Sequence, residues 1–172
     1  MKLPQLFMRN PDITNLPPLC LPNGITLHTH IEGEEEKWEK LIESAFGQFF
    51  PFSIIRGGGE YSILKPEHVL YLAKEGEDIA TATAVERDMF PNEGWLRLVG
   101  VNPQYRGIGA GRLIVQAALH SLAERGYKSV VLGTEDERIP AIKLYYSIGF
   151  RPLYTHPSHK SRWETILKNI NL

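Results

Sequence analysis

The sequence predicts a single mixed α/β domain in which helices flank one central sheet. An apolar strand at residues 95–101 leads through a glycine-rich turn into a helix with a broad apolar face. A short apolar strand at residues 129–132 follows that helix, and such a strand–helix–strand unit forms a right-handed parallel pair. Residues 69–74 and 79–86 have the pattern of an antiparallel hairpin. A sheet with both kinds of pairing is therefore expected.

The first 23 residues are expected to form an extended arm, and residues 24–172 the domain. The arm is rich in proline, which fixes φ and removes hydrogen-bond donors, and it has no helical periodicity. Residues 24–30 alternate well enough to form the first strand, with His28 and His30 on one face. No third ligand accompanies this histidine pair, so we expect no metal site.

The clearest helix is predicted over residues 34–46, with Gly47 at its end. Its apolar residues form one continuous stripe: Trp38, Leu41, Ile42, Ala45 and Phe46. Four phenylalanines then cluster around a proline, at Phe46, Phe49, Phe50 and Phe52, and three glycines follow at 57–59. The cluster can belong to the core, or it can form a lid over an acceptor together with the glycines. Both interpretations remain open.

The turn after residue 101 has the composition of a phosphate-binding loop. Gly107, Gly109 and Gly111 allow positive φ and a close approach of the backbone to a ligand. The free amides at the start of the next helix favour an anion. Arg112 replaces the third glycine of a dinucleotide fingerprint, and no Gly-Lys-Ser/Thr triplet of a P-loop is present. A different phosphate ligand is therefore expected.

Two further elements complete the prediction. The helix after the glycine turn ends at Gly126, and the next helix begins with Pro140 and stops at Gly149. Residues 89–94 are expected to form a loop, and residues 162–168 a final strand.

The glycine turn resembles the acetyl-CoA loop of the GCN5-related N-acetyltransferase (GNAT) superfamily, Arg/Gln-x-x-Gly-x-Gly/Ala. The matching residues are Arg106-Gly107-Ile108-Gly109-Ala110-Gly111. About thirty residues later the chain resembles the second signature of the superfamily at Ala141, Leu144, Tyr145, Gly149 and Phe150. One departure is that Arg138 stands at the position of the usual asparagine, which contacts the pantetheine region in that family.

This resemblance implies a GNAT-type fold whose central sheet is splayed at an acetyl-CoA site. The pantetheine arm would lie between the strands ending at Val101 and Leu132, and the amides of residues 107–111 would hold the pyrophosphate. The expected cofactor-binding residues are Val99, Val101, Arg106, Gly107, Ile108, Gly109, Ala110, Gly111, Arg112, Arg138 and Tyr145.

The resemblance further implies transfer of an acetyl group from acetyl-CoA to an amine of a small molecule or peptide. The resemblance implies that Tyr145, the tyrosine of the second signature, is the general acid that protonates the thiolate. Its neighbour Tyr146 points about 100° away on a helix and is the less suitable donor. Glu86 and Glu93 are the candidate general bases. A histidine of the first strand or a chain of waters can also fill that role. The alternative is a non-catalytic CoA-binding or regulatory module.

Composition limits the partners. The 172 residues carry a net charge of −1, with 42% hydrophobic and 23% charged residues, as in an ordinary globular domain. This charge favours neither nucleic acid nor a membrane surface as a partner. The single cysteine, Cys20, permits no intrachain disulfide, and no signal or membrane-spanning segment is evident. We expect a cytoplasmic monomer or homodimer.

Overall fold

The computed structural model describes residues 3–56, 65–87 and 89–171. The strands are β1 (Leu6–Asn10), β2 (Ile25–Thr29), β3 (Val69–Lys74), β4 (Glu77–Glu86), β5 (Gly94–Val101), β6 (Val130–Thr134) and β7 (Arg151–Leu153). The helices are α1 (Glu35–Phe46), α2 (Ala110–Glu124), α3 (Ile139–Ser147) and α4 (His159–Asn169). The predicted lid includes the glycines at 57–59, which lie outside the described residues.

The strands form one mixed sheet in the order β2-β3-β4-β5-β6-β1-β7. Only β5 and β6 pair in parallel among the described strands, and α2 is the crossover between them, as predicted. The hairpin of β3 and β4 is also confirmed. Its turn has Glu75 and Gly76 at φ 53° and 83°, the positive values that a tight two-residue connection requires.

The sheet splays between β5 and β6. Their pairing covers only three positions and stops at Leu96 and Leu132. Beyond that point β5 carries a bulge, since its register against β4 shifts between Thr81 and Thr83 and Leu98 adopts a φ of 48°. A bulge bends its strand and increases the twist. The carboxyl-terminal half of β5 is therefore free of β6, which confirms the expected splay.

Helices α1 and α2 cover opposite faces of the sheet. Leu70 and Leu72 of β3 join the core beneath α2, whereas Tyr71 packs in the cluster of Trp38 and Ile42 from α1. Alternate residues of a strand point to opposite faces, so this division places the two helices on either side. Gly100 allows α1 to approach β5 closely, because a Cβ there would lie 3.1 Å from a side-chain carbon of Ile42.

Two sequence predictions for the ends of the chain are wrong. Residues 6–10 are not part of a separate arm, because β1 lies between β6 and β7 and buries Leu6 and Met8 in the core. The tail at residues 162–168 is helical rather than a strand, because Trp163, Ile166 and Ile170 recur at helical spacing and are all buried. In the described part of the chain, no helix has the length and hydrophobicity to span a membrane.

Candidate active site

Two adjoining cavities open where β5 and β6 separate. One, the Gly-loop cavity, has a volume of about 470 Å³ and is lined by the glycine turn, β5 and α3. The other, the Trp95 cavity, has a volume of about 290 Å³ and lies against Trp95 and the ends of β5 and β6. Five residues line both: Phe46, Val99, Arg138, Ala141 and Tyr145. The cavities therefore meet at the gap in the sheet.

The Gly-loop cavity presents the amide groups of a helix start. Gly107 and Gly109 have φ of 83° and 88°, and α2 begins immediately afterwards at Ala110. Its first backbone bond runs from the Leu113 amide to the Gly109 carbonyl at 3.1 Å. The amides that precede Leu113 have no intrahelical acceptor and carry the positive end of the helix dipole. The loop can therefore hold an anion such as pyrophosphate.

Most of the predicted cofactor-binding residues line this cavity. They are Val99, Val101, Arg106, Gly107, Gly109, Ala110, Gly111, Arg112, Arg138 and Tyr145. The exception is Ile108, whose side chain is 53% exposed and lines a separate groove beside Pro22 and Leu113. Only the backbone of Ile108 can therefore contribute to binding a ligand at the glycine turn.

The arginines around the Gly-loop cavity are held by other groups. Arg106 donates from Nη2 to the carbonyl of Ala45 at 2.9 Å and so ties the loop to the end of α1. Arg112 donates to the hydroxyl of Ser147 at 2.6 Å. Arg138 pairs with Glu135 at 2.5 Å.

Arg138 also bridges the gap between the two halves of the sheet. Its guanidinium lies 4.7 Å from the centre of the Phe46 ring, a cation–π contact between the start of α3 and the end of α1. Because both residues line both cavities, this contact lies where the cavities meet.

Tyr145 projects from α3 to the junction of the cavities. Only 8% of its surface is exposed, and its ring packs edge-on against Phe150. Burial raises the pKa of Tyr145 to about 12; the Arg138 charge lowers it and the Glu135 charge raises it, both less strongly. Tyr146 instead lies beneath Arg151, with the guanidinium 4.0 Å from its ring centre, and lines neither cavity.

The backbone of Val101 faces the gap. The amide of Asn102 donates to the carbonyl of Ile79 on β4 at 2.9 Å, and Val101 is paired with Ala80 at the next position. Hydrogen-bonded and non-hydrogen-bonded pairs alternate along antiparallel strands. The N–H and C=O of Val101 therefore point away from β4, toward the side where β6 has separated.

The predicted general bases Glu86 and Glu93 are not at this site. Glu86 accepts a hydrogen bond from Tyr127 at 2.9 Å, and Glu93 accepts from Arg9 at 2.6 Å and from Ser129 at 2.9 Å. Neither glutamate lines the Gly-loop cavity or the Trp95 cavity. The prediction that they flank the cleft is therefore wrong.

The two histidines of the first strand are also distant from the gap. His28 lies in β2 and His30 follows it directly. Two strands, β3 and β4, separate β2 from β5. His28 is bound by Asp78 at 2.7 Å, and His30 is bound by the Tyr71 hydroxyl at 3.1 Å. Neither lines either cavity. In the described residues, no three histidine, cysteine or acidic side chains come together as a metal site would require.

A profile of the Acetyltransferase (GNAT) family matches residues 30–150, well over half of the chain. This protein belongs to the GNAT acetyltransferase family.

Two solved GNAT structures and one curated relative illustrate the likeness. The chain is 29% identical over 153 residues to a mycothiol acetyltransferase of Thermomonospora curvata, covering 84% of this chain and 50% of that protein. A GCN5-related N-acetyltransferase from Sphaerobacter thermophilus superposes with a TM-score of 0.71 at 25% identity, over 87% of this chain and 48% of that one.

The ribosomal-protein-S18-alanine N-acetyltransferase of Escherichia coli shares the fold, with a TM-score of 0.62 at 20% identity over 76% of this chain and 79% of that one. The chain spans about half the length of the curated relatives it matches.

Within this GNAT fold, Glu135 and Gln5 are among the residues of the Trp95 cavity that were not predicted from the sequence. Glu135 is the only carboxylate among the described residues lining either cavity, and it accepts a hydrogen bond from Gln5 at 3.2 Å. Glu135 follows β6 directly, so its proximity to the second signature could have indicated it. Gln5 gave no signal, because its position depends on the unforeseen insertion of β1 into the sheet.

Proposed function

We propose that this chain transfers an acetyl group from acetyl-CoA directly to an amine, with Tyr145 as the general acid. The observation that carries this proposal is that the Gly-loop cavity and the Trp95 cavity adjoin each other and that Tyr145 lines both. A phosphate-bearing donor can lie on one side and an acceptor on the other. The two substrates then meet beside a protonated phenol.

The donor would enter from the Gly-loop cavity. Amides of residues 107–111 would bind its pyrophosphate, and the pantetheine arm would extend between β5 and β6. Because pairing of β5 with β6 stops at Leu96, the pantetheine arm can form hydrogen bonds with the exposed edge of β5 at Val99 and Val101. The N–H of Val101 would stabilise the negative charge that develops on the thioester oxygen.

The reaction begins when the neutral amine nitrogen attacks the thioester carbonyl carbon. Collapse of the resulting tetrahedral species breaks the C–S bond and leaves a thiolate. Tyr145 donates its hydroxyl proton to that sulfur, and the amine loses one proton to solvent or to a nearby carboxylate. The tyrosinate then recovers a proton from solvent. The products are an amide and free CoA, and the enzyme returns to its starting state.

We propose Glu135, rather than Glu86 or Glu93, as the carboxylate that receives the acceptor amine. It lines the Trp95 cavity and is oriented by Arg138 and Gln5, so its position is fixed without the substrate. An oxygen of Glu135 can accept a hydrogen bond from the amine. A water between them can carry the departing proton.

Thiol release from acetyl-CoA in the presence of a panel of amines tests this function. We expect release that depends on the amine, with a product heavier by one acetyl group in mass spectrometry. Tight CoA binding without acetylation of any amine would instead support the non-catalytic module. The panel must be broad, because the relatives named above act on different acceptors.

A further inference from the structure

The five residues that line both cavities come from three separate elements. Phe46 is the last residue of α1, Val99 belongs to β5, and Arg138, Ala141 and Tyr145 lie on α3 or directly before it. The three positions at α3 are spaced by three and four residues, so they share one face of the helix. The two cavities therefore adjoin each other between this face and β5.

The elements around this junction are packed closely against one another. α1 approaches β5 at Gly100, where an added Cβ would lie 3.1 Å from a side-chain carbon of Ile42. A Cβ added at Gly111 of α2 would lie 3.3 Å from Leu144 of α3 and 3.7 Å from Val101 of β5. Close-packed elements do not move independently of one another. The frame of the Gly-loop cavity is therefore set by this packing and does not depend on the side chains at the junction.

The contact between Arg138 and Phe46, with the guanidinium 4.7 Å from the ring centre, is of a different kind. The side chain of Arg138 is 44% exposed, and that of Glu135, its partner at 2.5 Å, is 39% exposed. Cation–π contacts and ion pairs at exposed sites are weak. Arg106 holds the end of α1 through the Ala45 carbonyl at 2.9 Å, so the backbone of Phe46 stays in place. The contact can therefore open by rotation of the Arg138 side chain alone.

We infer that Arg138 and Phe46 form a gate over the pantetheine arm of CoA. The inference rests on the proposed function, in which the pyrophosphate lies at the glycine turn and the thioester lies beside Tyr145. The arm that joins these two ends has to pass Val99, at the junction that Arg138 and Phe46 also line. The gate is closed while the guanidinium lies over the Phe46 ring. When Arg138 turns away, the arm can enter or leave.

A gate of this kind changes binding rates more than it changes affinity. The contact between Arg138 and Phe46 can form both in the free protein and over a bound arm, so it slows entry and exit alike. A residue that only binds the arm would slow exit alone. The nucleotide end of CoA lies outside the gate, at the amides of residues 107–111, and binds there without opening it.

The kinetics of CoA binding test the inference without an acceptor and without turnover. Surface plasmon resonance on the immobilised protein measures both rate constants. In Arg138→Gln we expect the association and dissociation rate constants of CoA each to rise at least about threefold, as the loss of an exposed cation–π contact implies. The Kd for CoA should change by less than about twofold, because both rate constants rise together.

Adenosine 3′,5′-bisphosphate, which lacks the pantetheine arm, is the matched control ligand. Its Kd should be the same in Arg138→Gln as in the unaltered protein, since it binds outside the gate. A loss of affinity for the bisphosphate as large as any loss for CoA would place the effect at the glycine turn and would overturn the inference.

Variants of Phe46 test the same contact from the other side. Phe46→Leu removes the ring and should raise both rate constants for CoA as Arg138→Gln does, whereas Phe46→Tyr keeps a ring and should leave them unchanged. The double variant Arg138→Gln/Phe46→Leu should be no faster than either single variant, because each substitution removes the same contact. Arg151→Gln removes a comparable contact with the Tyr146 ring, at 4.0 Å and outside both cavities, and should keep the original rate constants.

Unchanged rate constants in Arg138→Gln, or additive effects in the double variant, would overturn the inference. A rise in the dissociation rate constant alone would show that Arg138 binds the arm and does not gate it. Acetyl transfer is measured separately. If amines are acetylated but the rate constants do not change, the transferase function stands and the gate is wrong. If the rate constants change as expected but no amine is acetylated, the gate is assigned correctly and the transferase function fails.

Discussion

The hydroxyl of Tyr145 is protonated at neutral pH, as a general acid requires. A phenol in water has a pKa of about 10, and the enclosed position of Tyr145 raises its pKa to about 12. The hydroxyl is therefore protonated throughout the neutral range. It lies at the junction of the two cavities, where the leaving thiolate would form.

Tyr145→Phe should lower kcat by roughly 10²- to 10⁴-fold while leaving CoA affinity unchanged. The substitution removes only the proton donor, because phenylalanine keeps the ring that packs against Phe150. Steady-state thiol release and calorimetric CoA titration measure the two quantities. Tyr146→Phe is the control on the same helix. An unchanged rate in Tyr145→Phe would show that Tyr145 acts only by packing, and equal losses in both variants would show that the acid is misassigned.

The pKa of Tyr145 also predicts the alkaline side of the pH profile. A general acid works in its protonated form, so its contribution is present below its pKa and is lost as the pH rises through it. With a pKa of about 12, kcat should not decline between about pH 8 and 10. Measurements at saturating substrate across that interval test this. A decline centred near pH 10 would indicate a tyrosine with an ordinary pKa.

The sequence predicts Tyr145 as the acid but does not single out Glu135, the carboxylate proposed from the structure. Tyr145 belongs to a local pattern within one helix, and local patterns are readable without the fold. The positions of Glu86 and Glu93 depend on strand register and on where β5 separates from β6, which are long-range properties. Glu135 carries no more local sequence signal than Glu86 or Glu93. Only the geometry of the gap distinguishes it from a surface carboxylate.

At the scale of elements, the glycine turn requires positive φ more than it requires space. A Cβ added at Gly109 would meet no atom within 4 Å, yet its φ is 88°. Residues other than glycine rarely adopt this positive φ, and residues with branched side chains are the most strained there. A substitution therefore distorts the amides that would hold the pyrophosphate.

Gly109→Val should weaken CoA binding by at least about tenfold, because the helix start loses its arrangement of free amides. Gly126→Val is a matched control, since Gly126 has a φ of 91°, ends the same helix and likewise has open space where a Cβ would lie. Calorimetry should show reduced affinity only for the first variant, with similar losses of thermal stability in both. Unchanged affinity in Gly109→Val would place the phosphate site elsewhere.

Elements with strong local signals were predictable, and those defined by distant pairing were not. The stripe of α1 and the glycine stop at Gly47 are both present in the structure. The bulge at Leu98 was missed, because nothing in the local sequence favours a positive φ for leucine. The tail was assigned to the wrong element although Trp163 and Ile166 are three residues apart, a spacing that indicates a helix.

At the scale of the whole molecule, β1 completes the sheet. It bonds to β6 along five positions and to β7 along three. Without it, β6 and β7 would not be connected within the sheet, and the core beneath Leu6 and Met8 would be open. From the sequence alone this segment is expected to lie outside the domain, because prolines dominate the residues that follow it.

Leu6→Ala should reduce the free energy of unfolding by about 2–5 kcal/mol, the usual cost of truncating a fully buried leucine. Leu3→Ala, in the same segment but at a side chain that is 59% exposed, should change it by less than about 0.5 kcal/mol. Denaturant titrations of both variants measure the difference. Equal stabilities would mean that the segment is a dispensable arm after all.

The position of β1 between β6 and β7 also sets an order of events on the ribosome. Strands β2 to β5 follow one another and can pair as they emerge, whereas β1 must wait for Val130–Thr134 and Arg151–Leu153 to be translated. At about 5–20 residues per second, its apolar side chains wait roughly 6 to 30 seconds for these partners. Slow codons in the second half of the message would lengthen this interval, and chaperones that bind apolar segments would find their target at residues 6–8.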